Sequence, residues 1–373
     1  MKYRFLGVIV WMAACGGASE PCGSGMGRSD LGECVPLAVE DSGQPEETAE
    51  PQETAEETAE PEPEPEPILS VYLLAGQSNM DGYGLVDQLP QQFTSPQESV
   101  MIFQGSSTED GKPAKGLGIW RPLRPGHGAD FRSDGQANHY GTRFGCELSF
   151  AAELRKLRPN ENVALIKYSR GGTSIAIEAA RYFGCWDPDF EDGEGKGKGI
   201  NQYDHFLATL RNALSARDID GDGENDRLIP SGILWMQGES DAGFETAAKN
   251  YANNLKRLMD LTRAALRTDD LPIAIGRISD SKKSGTPVWQ FGEILRSQQK
   301  VFCDSDSNAR LIKSTDMYGY SDPWHYDTES YIDLGRQFAR AIHELRNEDF
   351  MSSLHNLQNK IKKEAQLIWT RLP

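Results

Sequence analysis

The apolar stretches of this chain are short and unbroken. Val71–Ala75, Val100–Gln104, Val163–Tyr168 (VALIKY), Gly232–Met236 (GILWM) and Ile273–Ile278 (IAIGRI) place hydrophobic residues side by side instead of at every second position, and Arg310–Ser314 continues the series. A strand that is apolar on both faces must be covered on both faces, which is the condition of a parallel sheet between layers of helix. Helical spacing fills the intervals, at Glu147–Leu157, Tyr203–Ala216, Asn250–Arg267 and Glu329–Arg346. The alternation predicts an α/β fold, a three-layer α/β/α sandwich with a mainly parallel open sheet. Ligands of such sheets bind beyond the carboxyl ends of the strands, so polar residues just past a strand are the first place to look for chemistry.

Three segments answer that description. The run Ile68–Ala75 ends in Gly76-Gln77-Ser78-Asn79-Met80, which delivers a serine hydroxyl to the sheet edge. Tyr168-Ser169-Arg170-Gly171-Gly172-Thr173 follows the next strand, with glycines that let backbone N–H groups approach a ligand closely. Trp235-Met236-Gln237-Gly238-Glu239-Ser240-Asp241 follows another, with several polar side chains at a strand end. A serine needs a base to become a nucleophile. Of the six histidines, only His325 has an acid three residues earlier in a turn that contains proline, Asp322-Pro323-Trp324-His325. A carboxylate there can accept the imidazole Nδ1–H and fix the tautomer. Serine early and Asp-x-x-His late suggest a serine esterase. Backbone donors at Ser78 and Gly171 could hold the oxyanion of a tetrahedral intermediate.

The blocks GQSNM (76–80), GCELSFA (145–151), KYSRGGTSI (167–175), LWMQGESDA (234–242) and DPWHYD (322–327) occur in that order over about residues 68–346. Together they resemble the SGNH hydrolase superfamily, and within it the sialate O-acetylesterase and carbohydrate esterase family 6 group. The resemblance implies a flavodoxin-like SGNH fold, with Ser78 as nucleophile, His325 as base, Asp322 as acid and the N–H groups of Ser78 and Gly171 in the oxyanion hole. The wider superfamily has Gly-Asp-Ser-Leu where this chain has Gly76-Gln77-Ser78-Asn79. It also has Asn where this chain has Ser240, and proline is preferred where Cys146 stands. A third oxyanion donor is therefore open between Gln237 and Asn79, and Glu239 is an alternative triad acid. Gln77, Asn79, Arg170, Gly172 and Trp324 are candidates for substrate binding, and Trp120 is another candidate for lining a sugar site. The implied substrate is an acetylated carbohydrate: xylan, another glycan or sialic acid. The chemistry needs no cofactor. Two rival readings are a carbohydrate-binding lipoprotein with a weak or inactive site, and an esterase for another short acyl group.

The remaining sequence describes appendages. Lys2 and Arg4 precede an apolar core, Phe5–Met12, which is too short to span a bilayer, a task that needs roughly 20 residues. Met12-Ala13-Ala14-Cys15 resembles a bacterial lipobox, so residues 1–15 read as a signal peptide with lipidation at Cys15 and membrane anchoring outside the cytoplasm, at the outer membrane or cell surface. An ordinary cleaved signal would give a secreted protein instead. Residues 16–39 form a short segment with Cys22 and Cys34. Residues 40–67 are rich in Pro and Glu and read as an extended disordered linker. Between Pro36 and Pro67 stand twelve acids and no Lys or Arg, so most of the formal charge of −17 lies there. No basic stripe suggests nucleic acid as a partner. The esterase domain spans 68–348. A helical stripe at Leu354, Leu357, Ile361, Ala365 and Ile368 marks 349–373 as an amphipathic helix that packs on the domain or associates with a second copy, and oligomeric state stays open.

Cys22–Cys34 and Cys146–Cys185 are conceivable disulfides, although sequence cannot fix the pairing. Asp218, Asp220, Asp222, Glu224 and Asp226 fall at positions 1, 3, 5, 7 and 9 of a loop with glycine at 6, like the front of an EF-hand. The acid expected at position 12 is replaced by Ile229. The loop reads as a weak structural calcium site or as a solvated acidic turn.

Overall fold

The computed structural model describes residues 26–28, 34–36, 66–106, 114–181, 183–191 and 199–369, with no side chains described for most of the last helix beyond Glu348. The chain divides into two units, Met1–Pro63 and Glu64–Pro373. Of the first, the described part is an antiparallel pair, Met26–Arg28 with Cys34–Pro36. The expected signal peptide at 1–15, with Cys15, Cys22 and nearly all of the acidic segment, lies outside the described residues.

The second unit is built on a seven-stranded sheet. Its strands are β1 (Ile68–Gly76), β2 (Gln97–Gln104), β3 (Trp120–Leu123), β4 (Asn162–Ser169), β5 (Arg227–Met236), β6 (Ile273–Gly276) and β7 (Ala309–Ile312). The spatial order is β7-β6-β5-β1-β4-β2-β3, and every pairing is parallel except that of β3 with β2. The helices are α1 (Ser78–Asp81), α2 (Glu147–Leu157), α3 (Gln202–Leu214), α4 (Glu245–Leu266), α5 (Gly292–Ser305) and α6 (Thr328–Trp369). Helices α2 and α6 pack together, as do α4 and α5. The predicted α/β sandwich with a mainly parallel sheet is the observed fold.

The continuous apolar runs have the consequence expected of them. From Leu69 to Gly76 every residue of β1 is buried. Successive side chains serve opposite layers: the Trp235 indole donates to Tyr251 Oη on α4 at 3.2 Å, while the space over Gly276 is filled by Met236, Phe338 and Leu334. Strand β1 lies in the middle, between β4 and β5. Chain order departs in opposite directions on its two sides, so its carboxyl end is the switch point where a crevice forms.

Three differences from the sequence reading are physical. Strand β3 was missed because Pro122 argues against a strand, and it sits at the sheet edge, where a missing N–H costs least. The boundary placed at 348 is absent: α6 runs unbroken over 42 residues, and no Gly or Pro after Gly335 interrupts it. Whether the stripe at 349–373 packs on the domain concerns side chains outside those described. Cys146, Cys185 and Cys303 are free thiols, which removes the Cys146–Cys185 disulfide. Cys146 Sγ contacts Met80 Sδ at 3.7 Å, Cys185 Sγ bonds the Ile175 carbonyl, and burial pushes both thiols up to about 12. Among the described residues no helix is long and apolar enough to cross a membrane.

Candidate active site

Strand β1 ends at Gly76 with φ +145°, where a Cβ would lie 2.0 Å from the Met236 carbonyl oxygen of β5. Only glycine fits so close to the neighbouring backbone. The Gln77 N–H continues the ladder to Met236 O at 2.9 Å, and the chain then turns into α1, which begins with Ser78. Ser78 is 8% exposed. On the β4 side, a Cβ built on Gly171 would lie 3.1 Å from Ser78 Cβ and 3.4 Å from Asp81 Oδ2, so the backbone of Gly171 passes directly beside the serine.

The residue after the serine connects this turn to the end of the domain. Asn79 Nδ2 donates to Glu239 Oε1 at 2.7 Å and to the Trp324 carbonyl at 3.1 Å, while Asn79 Oδ1 accepts from Tyr331 Oη at 2.7 Å and from the Tyr326 N–H at 3.4 Å. Its partners Trp324 and Tyr326 flank His325. In that loop Asp322 Oδ2 lies 2.7 Å from His325 Nδ1, and Asp322 Oδ1 accepts the N–H groups of Trp324 and His325 at 2.8 and 2.9 Å. Burial alone would raise the Asp322 carboxyl, but these hydrogen bonds hold it below the usual range and keep it ionised at neutral pH. The Tyr83 ring lies flat on His325, with centroids 3.6 Å apart and planes within 4°. Trp324 is 50% exposed at the same edge.

Glu239 is placed differently from Asp322. It is buried, its Oε1 accepts from Asn79, and its Oε2 has no partner among the described residues. Burial pushes its carboxyl up to about 7, which the Asn79 hydrogen bond only partly offsets. Glu239 therefore contacts the residue next to the serine, whereas Asp322 is the acid that contacts the imidazole.

A family model for carbohydrate esterase, sialic acid-specific acetylesterase matches residues 68–344. The chain belongs to this family. It is a carboxylic ester hydrolase of the carbohydrate acetylesterase type. Among solved structures it is similar to a protein from Arabidopsis thaliana, with 21% identity, a TM-score of 0.52, and coverage of 74% of this chain and 98% of that one. It is also similar to a carbohydrate acetylesterase from Xanthomonas citri, with 20% identity, a TM-score of 0.51, and coverage of 74% of this chain and 56% of that one. At this identity the two structures speak for the fold alone. No curated protein matches the sequence.

Several residues of this acetylesterase do work that the sequence reading assigned elsewhere. Gln237 is not free to act as an oxyanion donor, because its Nε2 faces Gln77 Oε1, the Thr173 carbonyl and Asp241 Oδ2 at 3.1, 3.1 and 2.7 Å, and its Oε1 accepts from Tyr251 Oη at 2.9 Å. The Asn79 amide is equally committed. Gln77 is buried, and its Oε1 faces Gln237 and the N–H groups of Gly238 and Ser240, so it pins the serine turn to the loop after β5. Gln77 and Asn79 are thus scaffold residues. Gly172 is exposed with φ +73°, and a Cβ there would meet the Phe183 ring at 2.7 Å. The Arg170 guanidinium stacks over Phe183 at 4.9 Å and borders a cavity of about 60 Å³ with Asp81, Gln104, Arg132 and Ser169. Trp120 is buried with its indole donating to Ala213 O at 3.0 Å, so it is a core residue and no part of a sugar site.

Tyr83, Asp241 and the pair Lys167–Glu147 also belong to the site's framework and were not among the candidate residues read from the sequence. Lys167 is fully buried near the carboxyl end of β4, and its ammonium donates to Glu147 Oε2, the Asp81 carbonyl and the His127 carbonyl at 2.9, 2.8 and 2.7 Å. Asp241 takes the N–H groups of Ile175 and Ala176 and the Gln237 amide, and burial still pushes its carboxyl up to about 6. A lysine inside an otherwise apolar strand was the signal available for the first pair.

In the acidic loop, only Asp218, Asp220 and Asp222 bring carboxylate oxygens within 4.8 Å of one another. Asp226 turns back, and its Oδ2 accepts the Ile219 N–H at 2.8 Å. The five-residue ion site read from the sequence is reduced to three exposed acids.

Proposed function

We propose that this protein is an exported serine esterase that removes O-acetyl groups from carbohydrates through an acetyl-Ser78 intermediate. The observation that carries this reading is the 2.7 Å contact of Asp322 with His325 Nδ1, in a loop that Asn79 ties to the serine turn. His325 Nε2 takes the Ser78 proton as Oγ bonds to the acetyl carbon and the carbonyl electron pair moves onto oxygen. The N–H groups of Ser78 and Gly171 hold that oxyanion. Its collapse breaks the bond to the sugar oxygen, which leaves with the proton from His325. Water then attacks the acetyl-enzyme by the same proton path and releases acetate. Asp322 holds the imidazole tautomer and balances the imidazolium. Trp324 and Arg170 border the crevice as sugar contacts.

The amino-terminal segment supports export, with Cys15 as the lipid-bearing residue of a membrane-anchored form. The substrate is an acetylated glycan. No step above uses a metal. Calcium, held by Asp218, Asp220 and Asp222, has a structural role far from the ester.

Acetate release from a panel of acetylated glycans and from p-nitrophenyl acetate, with and without EDTA, tests this reading. Ser78→Ala and Asp322→Asn are each expected to lower kcat by about 10⁴ or more with the fold intact. EDTA is expected to lower the melting temperature and leave kcat in place. Full activity in Ser78→Ala rules the mechanism out, and a melting temperature indifferent to EDTA removes the calcium.

A further inference from the structure

We propose that Tyr83 is a positioning residue for His325, holding the imidazole plane through its ring face; this rests on the esterase reading above. Asp322 restrains the imidazole only within its own plane. A ring held by one hydrogen bond at Nδ1 can still pivot about that bond and carry Nε2 away from Ser78. The Tyr83 ring, 3.6 Å away and within 4° of parallel, blocks that pivot from one face. Trp324 meets the imidazole edge-on, with centroids 6.4 Å apart and planes at 67°.

Tyr83 itself is firmly held. Gly82, with φ +95°, passes so close to Gly145 that a Cβ would lie 2.2 Å from its Cα, which fixes the path out of the serine turn. The Tyr83 carbonyl accepts from Arg143 Nη1 at 2.7 Å, and Gly84 and Leu85 pair antiparallel with Phe144 and Arg143. Burial, with the Asp81 and Asp322 carboxylates next, raises the hydroxyl and keeps the phenol neutral. A neutral π face also favours a cation above it, so the imidazolium formed when His325 takes the Ser78 proton lies against a complementary surface. The ring is the working part of the side chain, and its hydroxyl is dispensable.

The test is the steady-state kinetics of Tyr83→Leu and Tyr83→Phe on p-nitrophenyl acetate, with Ser78→Ala as control. Tyr83→Leu is expected to lower kcat about threefold to tenfold, the range of an aromatic pair, with KM within about twofold. Tyr83→Phe restores kcat to within about twofold. Unchanged kcat in Tyr83→Leu, an effect on KM alone, or failure of Tyr83→Phe to restore the rate overturns the proposal. If Tyr83→Leu does not fold, the His325 ring-proton resonances of the unaltered protein decide, assigned against His325→Gln: an upfield ring-current shift is expected, and its absence overturns the proposal. Activity surviving in Ser78→Ala would instead remove the esterase mechanism beneath it.

Discussion

Asn79 shows how much of this site is carried by one small side chain. Its amide joins the serine turn, the loop after β5, the histidine loop and α6, and every polar atom has a partner. One of those partners, Glu239, is a buried carboxyl with an oxygen unpartnered among the described residues, raised from 4.5 to about 7. Between those values the folded protein holds a proton that the unfolded chain has released. Its contribution is therefore fully present below about pH 4.5 and is lost as pH rises through 7. Glu239→Gln keeps an acceptor for Asn79 and removes the titration. Urea unfolding at pH 5 and pH 8 is expected to show a smaller loss in Glu239→Gln than in the unaltered protein, by up to roughly 3 kcal/mol. Equal losses would show that Glu239 does not titrate in that window. Asp241, raised to about 6, leaves a residual slope in both.

At the scale of elements, the buried ion pair ties the sheet to α2 and, through Lys167, to the end of the serine turn. Lys167 on β4 reaches Glu147 at the start of α2 and the carbonyl at the end of α1. Lys167→Met would leave the Glu147 carboxylate buried without its cation, and a loss of about 3–5 kcal/mol is expected in chemical unfolding. Adding Glu147→Gln should recover part of it, and a single variant as stable as the unaltered protein would contradict the pairing. The helix Glu147–Leu157 appears with the bounds its spacing predicts, and β1, β4 and β5 appear where apolar runs demanded cover on both faces. Helix α5 escaped because its buried side includes Gln299, whose Nε2 faces the carbonyls of Gln237 and Gly276, so its stripe reads as broken. Asp-x-x-His was legible because three residues fix a local geometry. The roles of Gln77 and Gln237 were not, since the glutamine type alone does not say whether its amide faces a substrate or another loop.

For the whole molecule, every residue of the site lies between Gly76 and Tyr331, within the unit Glu64–Pro373. A lipid at Cys15, as proposed, would place anchoring in a different part of the chain from chemistry, and the two can be separated experimentally. Cys15→Ser is expected to move the protein from the membrane fraction to the soluble one without changing kcat/KM on p-nitrophenyl acetate. An unchanged distribution would mean that Cys15 is not the anchor.

The sheet's two margins bear on how this fold behaves when copies of it are crowded together. One ends in the short reversed strand Trp120–Leu123, where Pro122 deprives a passing backbone of a donor, and the other in only four residues, Ala309–Ile312. Neither margin offers a long ladder for a neighbouring copy to extend, so crowding should not stitch these molecules into ribbons.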